Sequence, residues 1–386
     1  PGNAGIAALA ECVPIQSEDL SGLLNFAKKE KIDLTIVGPE APLVEGIVSL
    51  FERAGLPVFG PSKGAAQLEG SKIFTKEFLQ RHEIPTGDFA VFESFEPAQK
   101  YIEKKGAPIV VKADGLAAGK GVFVCSTKEE ALAALKFLFV EKGLGEAGKR
   151  VLIEECLKGI ETSFIVLASG REALPLATSK DHKRAYDDDR GPNTGGMGTV
   201  SPSPYLNEDL QKEVMDRIIL PTLKGMEEEE NSFNGVLYAG LMLTREGPKV
   251  LEYNVRFGDP EIQVILPRLE NDLLDLIEAC MKGKLKQQKL LWRKELAVCV
   301  VMASGGYPGK YEKGKVISGL DQVGSEEGIV FHAGTVFKGD QVVTAGGRVL
   351  GITSLGKDLE EARQKAYRAV SKISWDGAFY RKDIGL

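Results

Sequence analysis

Residues 249–261 read KVLEYNVRFGDPE, and the first half of that stretch reads as a β-strand. Side chains on a strand alternate between two faces. Leu251, Tyr253 and Val255 then share an apolar face, while Glu252, Asn254 and Arg256 share the other. Glu252 and Asn254 offer hard oxygen donors of the kind Mg2+ takes. Arg256 offers a rigid fork for a phosphate or carboxylate. Gly258-Asp259-Pro260 then turns the chain, with Asp259 placed to cap a helix whose first residue is Pro260. Taken alone, the pattern fits a half-exposed strand with a polar outer face equally well.

The chain around this stretch has 386 residues, 43% hydrophobic and 27% charged, with a formal net charge of -6. That length suggests about two to three domains with apolar mass enough for cores of their own. The negative balance argues against nucleic acid or an anionic membrane as partner. No apolar run approaches the ~18 residues of a membrane span. Five scattered cysteines, Cys12, Cys125, Cys156, Cys280 and Cys299, with no C-x-x-C pair, point to reduced thiols in a cytoplasmic protein. The sequence opens in a loop, Pro1 to Gly5, from which the natural protein is expected to begin earlier.

Residues 17–59 alternate helix and strand signals. A Ser17 cap precedes a helix over 18–30, then come a strand over 33–37, a Gly38-Pro39-Glu40-Ala41-Pro42 turn, a helix over 43–54 and a strand over 57–59. This is a βαβ unit, which predicts a parallel sheet. Ligands of such sheets sit beyond the carboxyl ends of strands. Glu40 is in that place, and an exposed turn glutamate is the alternative. A helix over 71–82 opens on Lys72, a weak pointer to a phosphate, because a lysine there does not suit the helix dipole.

A compact α+β module follows, with strands over 89–92, 108–113, 121–125 and 151–155 and helices over 96–104 and 128–139. At its centre residues 110–121 read VVKADGLAAGKG. Lys112 ends an apolar strand, a loop of small residues carries Gly115, Gly119 and Lys120, and the next strand begins at Gly121. Small residues let backbone N–H groups approach a phosphate closely. The spacing is neither a Walker A loop nor G-x-G-x-x-G, so the segment reads as a flexible hairpin lid carrying Lys112 and Lys120, with a plain glycine-rich hairpin as the alternative. Where the chain leaves the 151–155 strand, backbone groups at Glu155, Cys156 and Leu157 can face a purine edge. A polar surface loop is the default.

Strands over 161–168 and 173–178 precede a long loop over 179–204, which contains DHKRAYDDDRGPNTGGMG at 181–198. Loops beyond ~12–15 residues inside a compact domain are usually functional or disordered. This one mixes both charge signs and suits closure over an anionic, amino-bearing substrate. Its Asp187–Asp189 run reads as a solvated face more than a metal cage. Helices over 206–229 lead to an antiparallel pair, 235–244 with 249–256, joined through a Glu246-Gly247 turn. Helices over 262–266 and 273–282 follow, then a linker over 284–294. The tail reads as a separate α+β lobe, with strands near 297–303, 329–337 and 341–353 and a helix over 358–373.

The three histidines, His82, His182 and His332, form neither a Ser-His-Asp nor a metal-spaced arrangement. What recurs is phosphate and cation handling, at Lys72, Lys112, the 114–121 hairpin, Arg184, Glu252, Asn254 and Arg256. Phosphoryl transfer asks the protein mainly for positioning and charge stabilisation.

Together, the lysine-plus-hairpin, the glutamate after a connector and the Glu-x-Asn on a late strand resemble the ATP-grasp family. More narrowly, DHKRAYDDDRGPNTGGMG and LEYNVRFGDPE resemble the glycinamide ribonucleotide synthetases, over essentially the whole chain. The resemblance implies an α/β and α+β multidomain ATP-grasp fold. It has an N-terminal parallel-sheet domain over 1–74, an ATP-grasp domain over 75–290 with a mobile lid at about 92–162, and a C-terminal α+β domain over 291–386. It implies ATP as co-substrate, Mg2+ or Mn2+ as cofactor, and glycine and 5-phosphoribosylamine as substrates. The protein would be a cytoplasmic monomer or weak homodimer. Adenine would lie against Glu154, Glu155, Cys156 and Leu157, with Glu161 taking the ribose. Lys72, Lys112, Arg184 and Asn193 would hold phosphates beside Gly115, Gly119, Lys120 and Gly121. Glu252 and Asn254 would bind the metal. Glu40, Asp181, Thr194, Gly195, Gly196, Gly258 and Asp259 would meet substrate. Arg256 would stabilise the glycyl phosphate and its tetrahedral successor.

The resembled family opens with a strand and a Gly-Gly-Arg-Glu-His-Ala-like turn that this sequence lacks. That turn belongs to the implied substrate site, so the sequence as it stands is expected to bind ATP and to be impaired in ligation. The end at Leu386 without a linker favours a protein that stands alone. Two rival readings are another ATP-grasp ligase or carboxylase, and a non-catalytic nucleotide-binding module.

Overall fold

The computed structural model describes residues 2–116 and 121–386. Gly119 and Lys120 of the hairpin lie outside the described residues. The chain opens not in a loop but in a short helix, α1 (Ala4–Ala7), whose Asn3 side chain accepts from the Ile6 N–H. Helix α2 (Leu20–Glu30) is capped by Asp19, which accepts from Gly22, and not by Ser17. Strand β1 (Thr35–Ile36) pairs in parallel with β2 (Val58–Phe59), as the βαβ pattern predicts. Between them α3 (Glu40–Glu45) and α4 (Ile47–Arg53) replace one expected helix. Gly46 breaks it at φ 98°, a left-handed conformation that glycine adopts without steric cost. Helices α5 (Gln67–Gly70) and α6 (Lys72–Arg81) follow, the second capped by Ser71.

The segment expected to form the lid is a sheet of β3 (Phe89–Phe92), β4 (Ile109–Ala113), β5 (Val122–Cys125) and β6 (Val151–Glu155), ordered β3-β6-β4-β5. Helices α7 (Phe95–Lys105) and α8 (Lys128–Leu135) cover it. Ala98, Ile102, Val111, Leu135 and Ile153 close a core within this unit. These elements agree with the sequence reading within a few residues: the helices are amphipathic and capped, and the strands are apolar runs bounded by glycine, proline and polar residues.

Strands β7 (Ile160–Ser169) and β8 (Glu172–Pro175) begin the central sheet. The expected loop over 179–204 is instead four short strands: β9 (Lys180–Asp181), β10 (Arg184–Tyr186), β11 (Arg190–Asn193) and β12 (Gly198–Ser201). Strands of two to four residues carry too little alternation to be read locally, and β12 finds its partner about a hundred residues away. Helices α9 (Glu208–Val214) and α10 (Leu220–Glu228) lead into the hairpin β13 (Asn234–Thr244) and β14 (Gly247–Asn254). Its two-residue loop is Arg245-Glu246, one residue earlier than expected. Central order is β14-β13-β7-β8. Phe164, Val166, Leu237 and Ala239 bury one face of it, and Ile165, Leu167, Val236 and Tyr238 the other. This is the period-2 pattern of a sheet covered on both sides.

Helices α11 (Ile262–Ile265) and α12 (Leu273–Met281) lead to the last sheet. It comprises β15 (Leu296–Ser304), β16 (Ile329–His332), β19 (Arg348–Gly356) and β20 (Ala378–Phe379), with β17 (Thr335–Lys338) and β18 (Gln341–Thr344) as a side hairpin. Helix α13 (Leu359–Lys372) packs on it through Ala362, Ala366, Ala369 and Val370. The tail is not separate in hydrogen-bonding terms. Its sheet runs β16-β19-β15-β12-β9, taking in two strands from the 180–201 segment. Among the described residues no helix is long and apolar enough to cross a membrane.

Candidate active site

A cavity of about 540 Å3 lies where the central sheet, the lid, the first βα turn and the C-terminal sheet meet. Strand β14 forms its floor. A bulge shifts the β13–β14 register, so that Gly240 opposes Glu252 and Leu241 opposes Val250. The expected apolar face is therefore changed: Val250, Tyr253 and Val255 are buried, while Leu251 lines the cavity. An extra residue in one strand re-aims its neighbours, and nothing in the local sequence marks it.

Glu252, Asn254 and Arg256 all line this cavity, together with Leu251 and Tyr253 of the same stretch. Burial would raise the Glu252 carboxyl, but Lys183, Lys112 and Lys72 outweigh it and hold the group below its ordinary value. Lys183 lies 3.5 Å from Glu252 and 2.9 Å from Glu161. Glu161 is thus tied to the site through Lys183 without lining the cavity.

Lys112 donates to the Leu251 carbonyl at 3.3 Å and pairs with Glu154 at 2.9 Å. Glu154 also pairs with Lys76 at 2.9 Å, and the Lys76 and Glu154 side chains are only 3% and 4% exposed. Burial would raise the Glu154 carboxyl, yet the two lysines hold it below its usual range. Glu154 therefore spends its carboxylate on the floor of the lid. Its neighbour Glu155 points outward and accepts from the Asp88 N–H. Lys72 donates to the Gly115 carbonyl at 3.0 Å, and Ser71 and Ile73 both donate to Asp114. The start of α6 is thereby fastened to the base of the hairpin. Burial lowers the Lys72 ammonium.

The opposite wall begins at Gly38, Pro39 and Glu40, beyond the carboxyl end of β1. Arg256 reaches across to Glu69 at 3.2 Å and Glu40 at 3.6 Å. Glu69 also accepts from the Val255 N–H at 2.7 Å. Burial pushes its carboxyl up to about 7, against the pull of Arg256.

Asp181, Thr194, Gly195, Gly258 and Asp259 line the same end. Asp259 caps no helix: α11 starts at Ile262, and the Asp259 carboxylate pairs with Arg348 at 2.8 Å. A long-range ion pair has taken the side chain that local turn chemistry assigned to a cap. Behind Asp181, Ser163 and Tyr238 both donate to Glu261, at 2.9 and 3.0 Å. Burial, then Glu261, push the Asp181 carboxyl well above the usual range. Its buried Oδ1 has no hydrogen-bond partner among the described residues. Gly196 packs directly against it, since a Cβ there would sit 2.6 Å from that oxygen.

Arg184 and Asn193 face each other across the β10–β11 ribbon, where Arg184 donates to the Gly191 carbonyl, and neither lines the cavity. Cys156 and Leu157 lie on the connector between β6 and β7, also outside the lining. The Asp187–Asp189 run is more than a solvated face. Asp187 accepts from the Lys382 N–H and Asp189 pairs with Arg381, tying the ribbon to the C-terminus. Sequence reasoning missed Glu69, Lys76, Lys183, Tyr238, Glu261, Tyr307 and Arg348 as cavity residues. Glu261 closes the opening stretch, and Lys183 sits inside a quoted motif; the others carry no local signal.

Among the described residues no group of three or more His, Cys, Asp or Glu side chains can hold a metal by itself. Glu252 and Asn254 nevertheless fit a hard divalent ion. They are two oxygen donors side by side on one wall, and Mg2+ commonly takes one or two protein ligands and completes its shell with phosphates and water.

Comparison with known proteins gives one pattern along the chain. The phosphoribosylglycinamide synthetase profiles match in three consecutive parts: the N domain at residues 1–69, the ATP-grasp (A) domain at 70–262 and the C domain at 297–386. A phosphoribosylamine–glycine ligase of Vibrio parahaemolyticus is 55% identical, over 100% of this chain and 90% of that protein. The crystal structure of the phosphoribosylamine–glycine ligase of Thermotoga maritima superposes with a TM-score of 0.86 at 37% identity, over 99% of this chain and 92% of that one. The biotin carboxylase domain of Hydrogenobacter thermophilus 2-oxoglutarate carboxylase, solved with MgADP and bicarbonate, gives a TM-score of 0.74 at 16% identity, covering 96% of this chain and 81% of that one. At that identity the likeness is one of fold alone.

Proposed function

The chain belongs to the phosphoribosylglycinamide synthetase family, and from that premise we propose how its residues divide the work of an ATP-dependent ligase. The reaction joins glycine to 5-phosphoribosylamine and yields glycinamide ribonucleotide, ADP and phosphate, a step of purine biosynthesis. The γ-phosphoryl of ATP passes to a glycine carboxylate oxygen, giving glycyl phosphate and ADP. The phosphoribosylamine nitrogen attacks the acyl carbon, the C–O bond to phosphate breaks, and a proton leaves the nitrogen as the amide forms. No enzyme nucleophile is needed, which suits a cavity lined by cations and carboxylates.

The observation that carries this reading is the split of the cavity into two ends around β14. At one end Lys72 and Lys112 converge under the lid beside Gly121, a setting for ATP phosphates. We assign adenine to the connector over 154–157 and ribose to Glu161, with the lid over 92–162 closing on them. At the other end Arg256, between Glu69 and Glu40, is placed to meet the glycine carboxylate as it becomes an acyl phosphate. The unpartnered Asp181 oxygen near Glu261 suits the glycine ammonium group. Glu252 and Asn254 would hold Mg2+ or Mn2+, which supplies charge neutralisation on the transferring phosphoryl group. Arg184 and Asn193 remain phosphate ligands on the family resemblance alone.

ADP release from the full-length protein, measured with each substrate omitted in turn, tests this reading. Turnover requiring glycine, phosphoribosylamine and a divalent ion together is expected. Equal turnover with alanine, aspartate or bicarbonate in place of glycine would overturn it.

A further inference from the structure

Two residues of the C-terminal lobe reach into the substrate end of the cavity, Tyr307 in the turn after β15 and Arg348. Arg348 is the first residue of β19 and pairs in register with Ala303 of β15. Its Nη1 donates to the Gly195 carbonyl at 2.7 Å and to the Asp259 carbonyl at 3.0 Å. Its Nη2 donates to the Asp259 carboxylate at 2.8 Å. Tyr307 completes the contact, its hydroxyl accepting from the Gly195 N–H at 3.1 Å. Both backbone groups of Gly195 are thus held by side chains more than a hundred residues away.

The fit is close on every side. A Cβ at Gly195 would lie 2.8 Å from the Arg348 guanidinium carbon. A Cβ at Gly347 would lie 2.2 Å from the Tyr307 ring. Gly196, at φ 112°, leaves no room for a side chain between Pro260 and Asp181. Thr194 locks the loop from within, donating to the Lys183 carbonyl at 2.9 Å and accepting from the Gly196 N–H at 3.0 Å. Asp181 itself hangs from the same sheet, because β9 pairs with β12 and β12 with β15.

We infer that Arg348 and Tyr307 are positioning residues: they hold the Thr194–Gly196 loop against the Gly258–Asp259 turn, so that the C-terminal sheet sets the geometry of the glycine and amine end of the site. The planar guanidinium serves this because one fork spans two acceptors fixed on different segments. Its Nη1 and Nη2 are engaged by Gly195 and Asp259, and it acts through them. The lysines under the lid make none of these contacts, so the ATP end is independent of the clamp. The assignment rests on the function proposed above.

The test uses the full chain carrying Arg348→Gln, Tyr307→Phe or Arg348→Lys. KM for glycine and for phosphoribosylamine should rise ~10-fold in Arg348→Gln, while KM for ATP stays within about twofold. Arg348→Lys should fall between wild type and Arg348→Gln, because it keeps the charge and loses the fork. Amide hydrogen exchange over residues 194–197 should quicken in both Arg348→Gln and Tyr307→Phe, with the rest of the chain unchanged. Exchange reads the clamp whether or not the wild type turns over. A wild type inert toward glycine with faster exchange in the variants would sink the function and keep the clamp. Unchanged exchange over 194–197, or a proportional rise in all three KM values, would overturn the clamp. Tyr307→Phe removes one hydroxyl and keeps the test open should Arg348→Gln fail to fold.

Discussion

Glu252 stands 3.5 Å from Lys183, and that lysine is held on its other side by Glu161. The Glu252 carboxylate is therefore kept charged in the cavity wall, in the form a hard cation takes. Glu252→Gln keeps the shape and removes the charge. Turnover should fall by about two orders of magnitude or more, with the metal requirement shifted to higher concentration. Circular dichroism should match wild type. Full activity in Glu252→Gln would end the metal assignment.

Glu69 gives a pH-dependent prediction. Its folded carboxyl is raised by burial from 4.5 to about 7. The folded state thus binds this proton more tightly than the unfolded chain. The resulting stability is fully present below pH 4.5 and is lost as pH rises through 7. At about 1.4 kcal/mol per unit, the full loss is on the order of 3–4 kcal/mol, of which roughly 2–3 kcal/mol falls between pH 5 and pH 8. Urea unfolding of wild type and Glu69→Gln at pH 5 and pH 8 isolates it. The wild type should lose that much more than the variant over the interval, and parallel losses would refute it.

The Lys76–Glu154–Lys112 group makes a stability prediction. Breaking a buried ion pair from one side leaves a charge without a partner, at a cost of about 3–5 kcal/mol. Glu154→Gln should destabilise by that order in denaturant unfolding, and adding Lys76→Met should recover part of the loss. Additive effects would show that the two residues do not act as a pair.

Gly195 and Gly196 should differ in tolerance. A Cβ at Gly195 meets the far end of the Arg348 side chain, which can shift only by loosening its hold on Asp259, whereas one at Gly196 meets the Pro260 ring and Asp181 at a positive φ. Flexible side-chain ends yield and ring atoms do not. Gly196→Ala should therefore lose more activity than Gly195→Ala, read as kcat/KM for glycine. The reverse order would count against the packed geometry of this loop.

Much of this molecule is legible in its sequence, and the boundary has a physical cause. The lid strands, α6 and the polar face of β14 follow from periodicity and caps, because their determinants lie within a dozen residues. Glu252, Asn254 and Arg256 were therefore within reach of local reasoning. The bulge that turns Leu251 into the cavity depends on the register with β13, which no single strand encodes. Strands β9 and β12 are too short to alternate visibly and depend on β15. Glu69, Tyr307 and Arg348 reach the site through tertiary packing, and Asp259 gives its carboxylate to Arg348 where local chemistry predicted a cap. Elements were readable one at a time; the convergence of residues 40, 69, 181, 256 and 348 on one cavity was not.

The central claim is that glycine is activated at its carboxylate by phosphoryl transfer and then captured by an amine. Turnover with glycine labelled with 18O in its carboxylate tests it most directly, with the inorganic phosphate product examined by mass. The account predicts one 18O atom in phosphate for each amide formed, because the carboxylate oxygen that accepts the phosphoryl group leaves with it. Phosphate free of label, with amide still formed, would contradict it.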